Sequence, residues 1–384
     1  MRRILFVANG HGETAIAARI GGEIATLSAE PVALDLLALV GTGAGAEPLT
    51  VVGPRRAMPS GGLVAMGNVR AILRDLRAGF AGLLAAQIDF LLRARSRYEI
   101  VVAVGDAYAL ALAFLTRTRT VFVGTAKSVY VAPYGPFERT LLRRAARAFV
   151  RDAPTAQRLL AANVDARAAG NTIVDLVDPE AAPARAAGGQ PPRRWIGILP
   201  GSREEAYADG VRLARTVREL GLRDAGIGGL FSIAPTLEAG RFAHALSDDG
   251  WALEAAGPNA PFEAQSGTTR LVGWSGSLGA LLAASVAVLG QAGTANEQAA
   301  GCGVPVIALG APRAGRDEWY RMRQRRLLGD ALLLASPDPA AAAAEIAELL
   351  GDEVRLQDMR AAGRARMGGR GATAAIAREI LELA

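Results

Sequence analysis

The sequence predicts an α/β protein: two Rossmann-like, doubly wound parallel-sheet domains facing a central cleft. Three observations carry this. An apolar strand at 4–8 (I-L-F-V-A) runs into a glycine turn and then a helical pattern over 14–24. A second strand of the same kind opens at 195–199 (W-I-G-I-L). Between the two series, residues 181–194 (A-A-P-A-R-A-A-G-G-Q-P-P-R-R) carry no apolar period and read as a linker. A length of 384 residues suits two domains at roughly 150 residues each. The expected boundaries are 1–180, 181–194 and 195–384, with the last helix free to pack back on the N-terminal domain.

Further strands are predicted at 100–104 (I-V-V-A-V), 120–123 (T-V-F-V) and 147–151 (R-A-F-V-R). The segments between them read as helices. Strands alternating with helices imply a parallel sheet covered on both faces. The second series continues with strands at 229–233, 285–289 and 304–309, and 339–384 is helical with a glycine-rich break at 368–371. From Val69, the residues Ile72, Leu73, Leu76, Phe80, Leu83 and Leu84 recur at helical spacing, flanked by Arg70, Arg74 and Arg77. One reading is a crossover helix on the sheet. The other is a helix resting on a membrane or an acyl chain, with its arginines at headgroup level.

Composition excludes several classes. With 51% hydrophobic and 21% charged residues the chain is not disordered. One cysteine (Cys302) and two histidines (His11 and His244) leave no disulfide, no cysteine zinc site and no histidine-rich metal centre. The net charge of +6 raises nucleic acid as a partner. Against it, the 42 arginines and single lysine (Lys127) are spread along the chain, and aromatics are 5%, too few for stacking platforms. The expectation is no nucleic acid. A basic surface still suits a phosphorylated substrate or anionic lipid. No secretion signal is read at the start, and stretches such as 278–290 are shorter than the roughly 18 apolar residues that span a bilayer. The expected location is cytoplasmic, with any membrane contact peripheral, at the inner face.

The strongest local signal is I-L-P-G-S-R at 198–203, a strand end, a tight turn and a helix starting near Glu204. Backbone N–H groups at such a turn suit a phosphate. Gly201 and Ser202 would donate to it, and Arg203 would pair with pyrophosphate oxygens. The plainer alternative makes Ser202 an N-cap and Arg203 a surface residue. A second strand–turn–helix follows in G-Q-A-G-T-A-N-E-Q-A-A-G-C-G-V-P-V-I-A-L at 290–309. Gly293 and Thr294 would make a second phosphate contact, and Glu297 or Gln298 would hold ribose hydroxyls. Two such turns point to a nucleoside diphosphate.

L-P-G-S-R followed some ninety residues later by A-G-T-A-N-E-Q-A-A-G-C-G-V-P-V resembles the lipid-A-disaccharide synthase family of GT-B glycosyltransferases, in its branch of lipid-A-disaccharide synthase-related proteins. L-V-A-M-G-N-V at 63–69, V-G-D-A-Y at 104–108 and A-G-N-T-I-V-D at 169–175 have counterparts in the same order. The resemblance implies GT-B architecture, a UDP-sugar donor as substrate with no separate cofactor, and a lipid-linked sugar acceptor. It puts Arg203 on a functional arginine of the family and Asp106 on an aspartate proposed to act in catalysis. Two departures stand out. The family's glutamate seven residues before the proline is Gln298 here, with Glu297 one position earlier. Its opening A-G-E-x-S-G-D is replaced by A-N-G-H-G-E-T at 8–14.

No D-x-D metal motif is read, so Arg203 and the helix N-termini would meet the leaving-group charge. The candidate acid–base residues are Asp106, His11 and Glu13, at strand ends where ligands bind. Asp106 alternatively caps a helix, His11 alternatively shapes a turn, and Glu13 fits acceptor positioning or capping better than proton transfer. Trp274, on a loop at 271–277, is a candidate lid for the uracil ring or a packing residue. Gly12, Lys127, Tyr130 and Tyr134 are candidates for the acceptor side; Lys127 reads equally as an ordinary surface lysine. Cys302 reads as a packed small residue and His244 as a surface helix residue. The competing functions are a UDP-N-acetylglucosamine 2-epimerase and a non-catalytic UDP-sugar or lipid-binding descendant. The sequence sets no oligomeric state.

Overall fold

The computed structural model describes residues 2–57, 75–178, 192–254, 257, 259–311 and 315–384. The 63–69 motif, Arg70, Arg74 and residues 181–191 of the expected linker lie outside the described residues. The chain divides into two compact units, Met1–Leu176 with Arg370–Ala384, and Val177–Gly369.

Unit 1 carries, among the described residues, a seven-stranded sheet in the order β3-β2-β1-β4-β5-β6-β7. Its strands are β1 (Arg2–Asn9), β2 (Val32–Val40), β3 (Thr50–Val51), β4 (Ile100–Gly105), β5 (Arg119–Gly124), β6 (Arg147–Val150) and β7 (Ala166–Ala168). All pair in parallel. Alternation along β1 shows why both faces are apolar. Ile4, Phe6 and Ala8 pack with Ile16, Ile20, Ile376 and Ile380 on one face. Leu5 and Val7 pack with Leu91 and Leu110 on the other. The first face is closed by the helices His11–Leu27 and Ala372–Leu383, the second by helices that include Phe80–Arg93 and Ala107–Ala113.

The strand β2 was not among the strands predicted from sequence. V-A-L-D-L-L-A-L-V is a continuous apolar run, and periodicity alone does not separate a fully buried strand from a buried helix. Its one charge, Asp35, is buried but satisfied: Arg3 Nη2 donates to it at 2.9 Å and the Tyr98 hydroxyl at 2.8 Å. The Tyr98 phenol is thereby pushed up to about 12, by burial first and then by this bond.

Unit 2 carries, among the described residues, an eight-stranded sheet in the order β10-β11-β12-β9-β8-β13-β14-β15. The strands are β8 (Arg194–Leu199), β9 (Ile227–Ser232), β10 (Ala252–Glu254), β11 (Glu263–Ser266), β12 (Thr269–Trp274), β13 (Ser285–Gly290), β14 (Val306–Leu309) and β15 (Leu332–Ala335). One edge departs from the predicted parallel sheet: β10, β11 and β12 are antiparallel. Ser266 faces Thr269 across a two-residue turn whose first residue, Gly267, has φ +59°, the geometry of a tight hairpin. Residues 271–274, expected in a loop, are therefore strand. The helical C-terminal region is three helices, Pro339–Gly351, Glu353–Met367 and Ala372–Leu383, separated at Asp352 and at 368–371. Among the described residues, no helix is long and apolar enough to cross a membrane.

Candidate functional site

In each sheet the chain winds outward in both directions from one strand pair. In unit 1 the pair is β1 and β4, and in unit 2 it is β8 and β13. At such a reversal the connections leave on opposite faces and open a crevice at the carboxyl ends of the strands, where ligands of doubly wound sheets bind. His11, Gly12, Glu13 and Asp106 lie at the first point, and Gly201, Ser202, Arg203, Gly293, Thr294, Glu297 and Gln298 around the second.

At the unit 1 reversal, β1 ends in Asn9 and Gly10 carries φ +124°, so a single residue turns the strand into the helix His11–Leu27. His11 and Glu13, expected on a loop, thus occupy the first helical turn. Across the gap, Asp106 is the N-cap of the helix Ala107–Ala113. Its Oδ1 accepts from the N–H groups of Tyr108 (3.0 Å) and Ala109 (3.1 Å), and its Oδ2 from Asn9 Nδ2 (3.0 Å). Gly105, before it, has φ +122°, and a Cβ there would lie 2.8 Å from Glu13 Cγ. The Glu13 side chain therefore lies against the backbone beside Asp106, and only glycine leaves it that room. The Thr125 hydroxyl, at the end of β5, donates to Glu13 Oε1 at 3.5 Å.

The surroundings of Glu13 act on its charge. Burial pushes the Glu13 carboxyl above its ordinary range and the neighbouring Asp106 charge adds to this; its own backbone N–H, Thr125 and His11 pull the other way. His11 is exposed, with its imidazole against Gly41. Gly12 is exposed and has open space where a Cβ would stand. Two polar atoms at this point are buried without a hydrogen-bond partner among the described residues: Asn9 Oδ1 and the Tyr108 hydroxyl.

The remaining unit 1 candidates lie beyond β5. Lys127 Nζ donates to Glu138 Oε2 at 2.7 Å, and the same oxygen accepts from Gly135 N–H at 2.8 Å, so this lysine's charge already has a partner. Tyr134 is buried edge-on to Phe122, with its hydroxyl against Gly124. Tyr130 is half-buried.

At the unit 2 reversal, the turn after β8 and the turn after β13 are joined directly. The Leu199 carbonyl accepts from the N–H groups of Gln291 (2.9 Å) and Ala292 (3.1 Å). Gly201 has φ +121°, and the helix starts at Ala206, two residues later than expected. Ser202 and Arg203 are exposed, and Arg203 has no ion pair among the described residues. Gly293 is the N-cap of the helix Thr294–Gly301 and has open space where a Cβ would stand. Glu297 and Gln298, one turn in, are both half-buried. Trp274 closes β12; its indole N–H donates to the Ser277 carbonyl at 2.8 Å and its ring covers Gly276.

Comparison with solved structures adds the fold. A UDP-GlcNAc 2-epimerase from Neisseria meningitidis bound to UDP-GlcNAc has a TM-score of 0.60 at 12% identity, covering 99% of both chains. Acinetobacter baumannii MurG has a TM-score of 0.58 at 13% identity, covering 100% of both. The glycosyltransferase SnogD from Streptomyces nogalater has a TM-score of 0.52 at 19% identity, covering 100% of this chain and 99% of its own. The fold is GT-B. No protein family matches the chain by sequence, and no curated protein does.

The supports of the unit 2 turn in this GT-B chain were not singled out from sequence. Asn296, fully buried, donates through Nδ2 to the Gly290 carbonyl (3.1 Å) and to Gln324 Oε1 (3.2 Å). Gln324 Nε2 donates to the Ala292 carbonyl at 2.8 Å, and Arg321 Nη1 to that of Gln291 at 3.2 Å. Asn296, like Asn9, lies inside a quoted motif, and a polar residue beside a strand-end glycine was the available signal. Gln324 and Arg321 are some thirty residues away on another helix and gave none. Among the described residues, no group of histidine, cysteine, aspartate or glutamate side chains could hold a metal ion.

Proposed function

We propose that this protein is an inverting glycosyltransferase acting on a UDP-sugar without a metal ion. In this reading it moves a glucosamine-type sugar to a lipid-linked sugar acceptor, as the motif resemblance to the lipid-A-disaccharide synthases implies. One observation carries the nucleotide part. Two glycine turns, at the ends of adjacent strands β8 and β13, are tied together through the Leu199 carbonyl. Each leads into a helix whose first N–H groups favour phosphate. Arg203, exposed and without an ion pair among the described residues, stands on one turn and the open Gly293–Thr294 start on the other, a set that suits a diphosphate.

The donor is assigned to unit 2, through Gly201, Ser202, Arg203, Gly293 and Thr294, with Glu297 or Gln298 on the ribose and Trp274 toward the base. The acceptor is assigned to unit 1, where Asn9, Glu13 and Asp106 cluster with His11 at their rim. Inverting transfer asks for one base on the acceptor hydroxyl and for stabilised charge on the departing diphosphate. The proposal includes a cytoplasmic location with peripheral contact at the membrane's inner face, consistent with a lipid acceptor.

A second reading, a UDP-N-acetylglucosamine 2-epimerase, is favoured by the likeness to solved epimerases of that specificity. Incubation with UDP-N-acetylglucosamine, with and without lipid extract, separates the two. Acceptor-dependent UDP release supports transfer, an epimerised donor supports the second reading, and neither product overturns both.

A further inference from the structure

We infer that Glu13 takes the proton from the acceptor hydroxyl and that Asp106 is a positioning residue beside it, an assignment that rests on the transfer reading above. The hydrogen bonds divide the labour. Asp106 is spent on structure: Oδ1 accepts two backbone N–H groups at a helix start and Oδ2 accepts Asn9 Nδ2. Both of its oxygens are thus occupied by the cap and by Asn9, and it serves to fix the start of the helix Ala107–Ala113. Glu13 has the opposite setting. Its one side-chain partner among the described residues is the Thr125 hydroxyl at a long 3.5 Å. It is wedged against Gly105, where burial, and after it the Asp106 charge, favour a bound proton, opposed by its own backbone N–H, by Thr125 and by His11 in the same helical turn. A base works best when its proton affinity approaches the working pH. Burial at Gly105 moves Glu13 in that direction, and its oxygens are not taken up by a helix cap.

The step balances as follows. The acceptor O–H bond breaks and its proton goes to a Glu13 carboxylate oxygen. The acceptor oxygen's electron pair forms the bond to the anomeric carbon. The bond from that carbon to the diphosphate oxygen breaks, and its pair leaves on the nucleoside diphosphate. Asn9 completes the arrangement: one end of its amide orients Asp106, and the other, Oδ1, is buried and unpartnered among the described residues at the same point. That free acceptor suits a second hydroxyl of an incoming sugar.

The test compares Glu13→Gln with Asp106→Asn, the latter chosen because asparagine also caps helices well. Two readouts are taken on the full chain. The first needs no substrate: the Glu13 carboxyl is titrated by carbon NMR in protein carrying 13C-labelled glutamate, with Glu13→Gln assigning the signal. The midpoint is expected above the ordinary glutamate value and is expected to fall in Asp106→Asn. The second is the pH profile of UDP release with acceptor. Glu13→Gln should lower kcat by roughly 10²–10⁴-fold, the range of a lost general base. Asp106→Asn should keep kcat within about tenfold while the acid limb moves to lower pH with the NMR midpoint. An ordinary Glu13 midpoint that Asp106→Asn leaves unmoved overturns the inference, as does near-normal kcat in Glu13→Gln. A wild-type protein that releases no UDP fails the transfer reading instead, and the titration then decides the Glu13–Asp106 relationship alone.

Discussion

Asp175 holds the start of the last helix, 198 residues away in the chain, through Thr373. Its Oδ2 accepts from the Thr373 N–H at 2.7 Å and from the Thr373 hydroxyl at 3.0 Å, while Oδ1 accepts from the Gly371 N–H at 2.7 Å. The aspartate is buried, so these bonds replace water it cannot reach. This is what the final residue of A-G-N-T-I-V-D does. It pins the helix Ala372–Leu383 to unit 1, where Ile376 and Ile380 close one face of the sheet.

Asp175→Ala should therefore cost about 2–4 kcal/mol, the scale of losing charge-assisted caps to buried N–H groups. Urea denaturation measures it. Asp175→Asn, which keeps an acceptor, should recover part of the loss, and equal stability of wild type and Asp175→Ala would contradict the pinning.

Arg203→Ala should weaken UDP binding by about 1.5–3 kcal/mol, the worth of a hydrogen bond to a charged group. Arg203 is exposed and has no ion pair among the described residues, so its removal leaves no partner stranded and folding should be unaffected. Calorimetry with UDP is the measurement; unchanged affinity in a folded variant would remove the arginine from the donor site.

Glu13→Gln should stabilise the protein at neutral pH and not at acid pH. The folded-state carboxyl holds its proton more tightly than the unfolded one, chiefly because of burial. Below the unfolded value both states are protonated and there is no penalty. As pH rises through that value toward the raised folded one, the unfolded chain sheds its proton first and folding loses ground. Glutamine escapes this cost. Thermal melts across pH 4–8, at roughly 4–8 °C per kcal/mol for small domains and less for larger ones, should show the variant's advantage growing with pH. A constant or shrinking advantage would refute it.

His11→Ala should mainly raise the KM for the acceptor, with kcat largely kept. Its imidazole is exposed at the rim, against Gly41. A collapsed kcat at saturating acceptor would make the histidine the base.

Turnover should survive EDTA. Among the described residues no set of metal-ligating side chains gathers, and Arg203 with two helix starts can meet the leaving charge. Activity lost with EDTA and restored by magnesium or manganese would reverse this.

Local signals in the sequence determined much of this molecule. The apolar runs at 4–8, 100–104, 120–123 and 195–199 are each strands, because a buried parallel strand is apolar throughout. The glycine turns after β1, β8 and β13 each lead to a helix: Gly10 and Gly201 take positive φ, and Gly290 leaves room for Asn296. Asp106 was legible as a helix cap, since an aspartate just past a strand end has the short acceptor that a cap requires. What tertiary structure alone decided is who faces whom. Strand β2 hid its identity because an apolar run lacks a period when both faces are buried. The hairpin edge β10–β12 and the strand identity of Trp274 depended on pairing between segments. Glu13 beside Asp106, Gln324 on the β13 turn and Asp175 on Thr373 join residues some thirty to two hundred positions apart. Such contacts leave no trace in local composition, because each exists only once the sheets have brought distant strand ends to one edge.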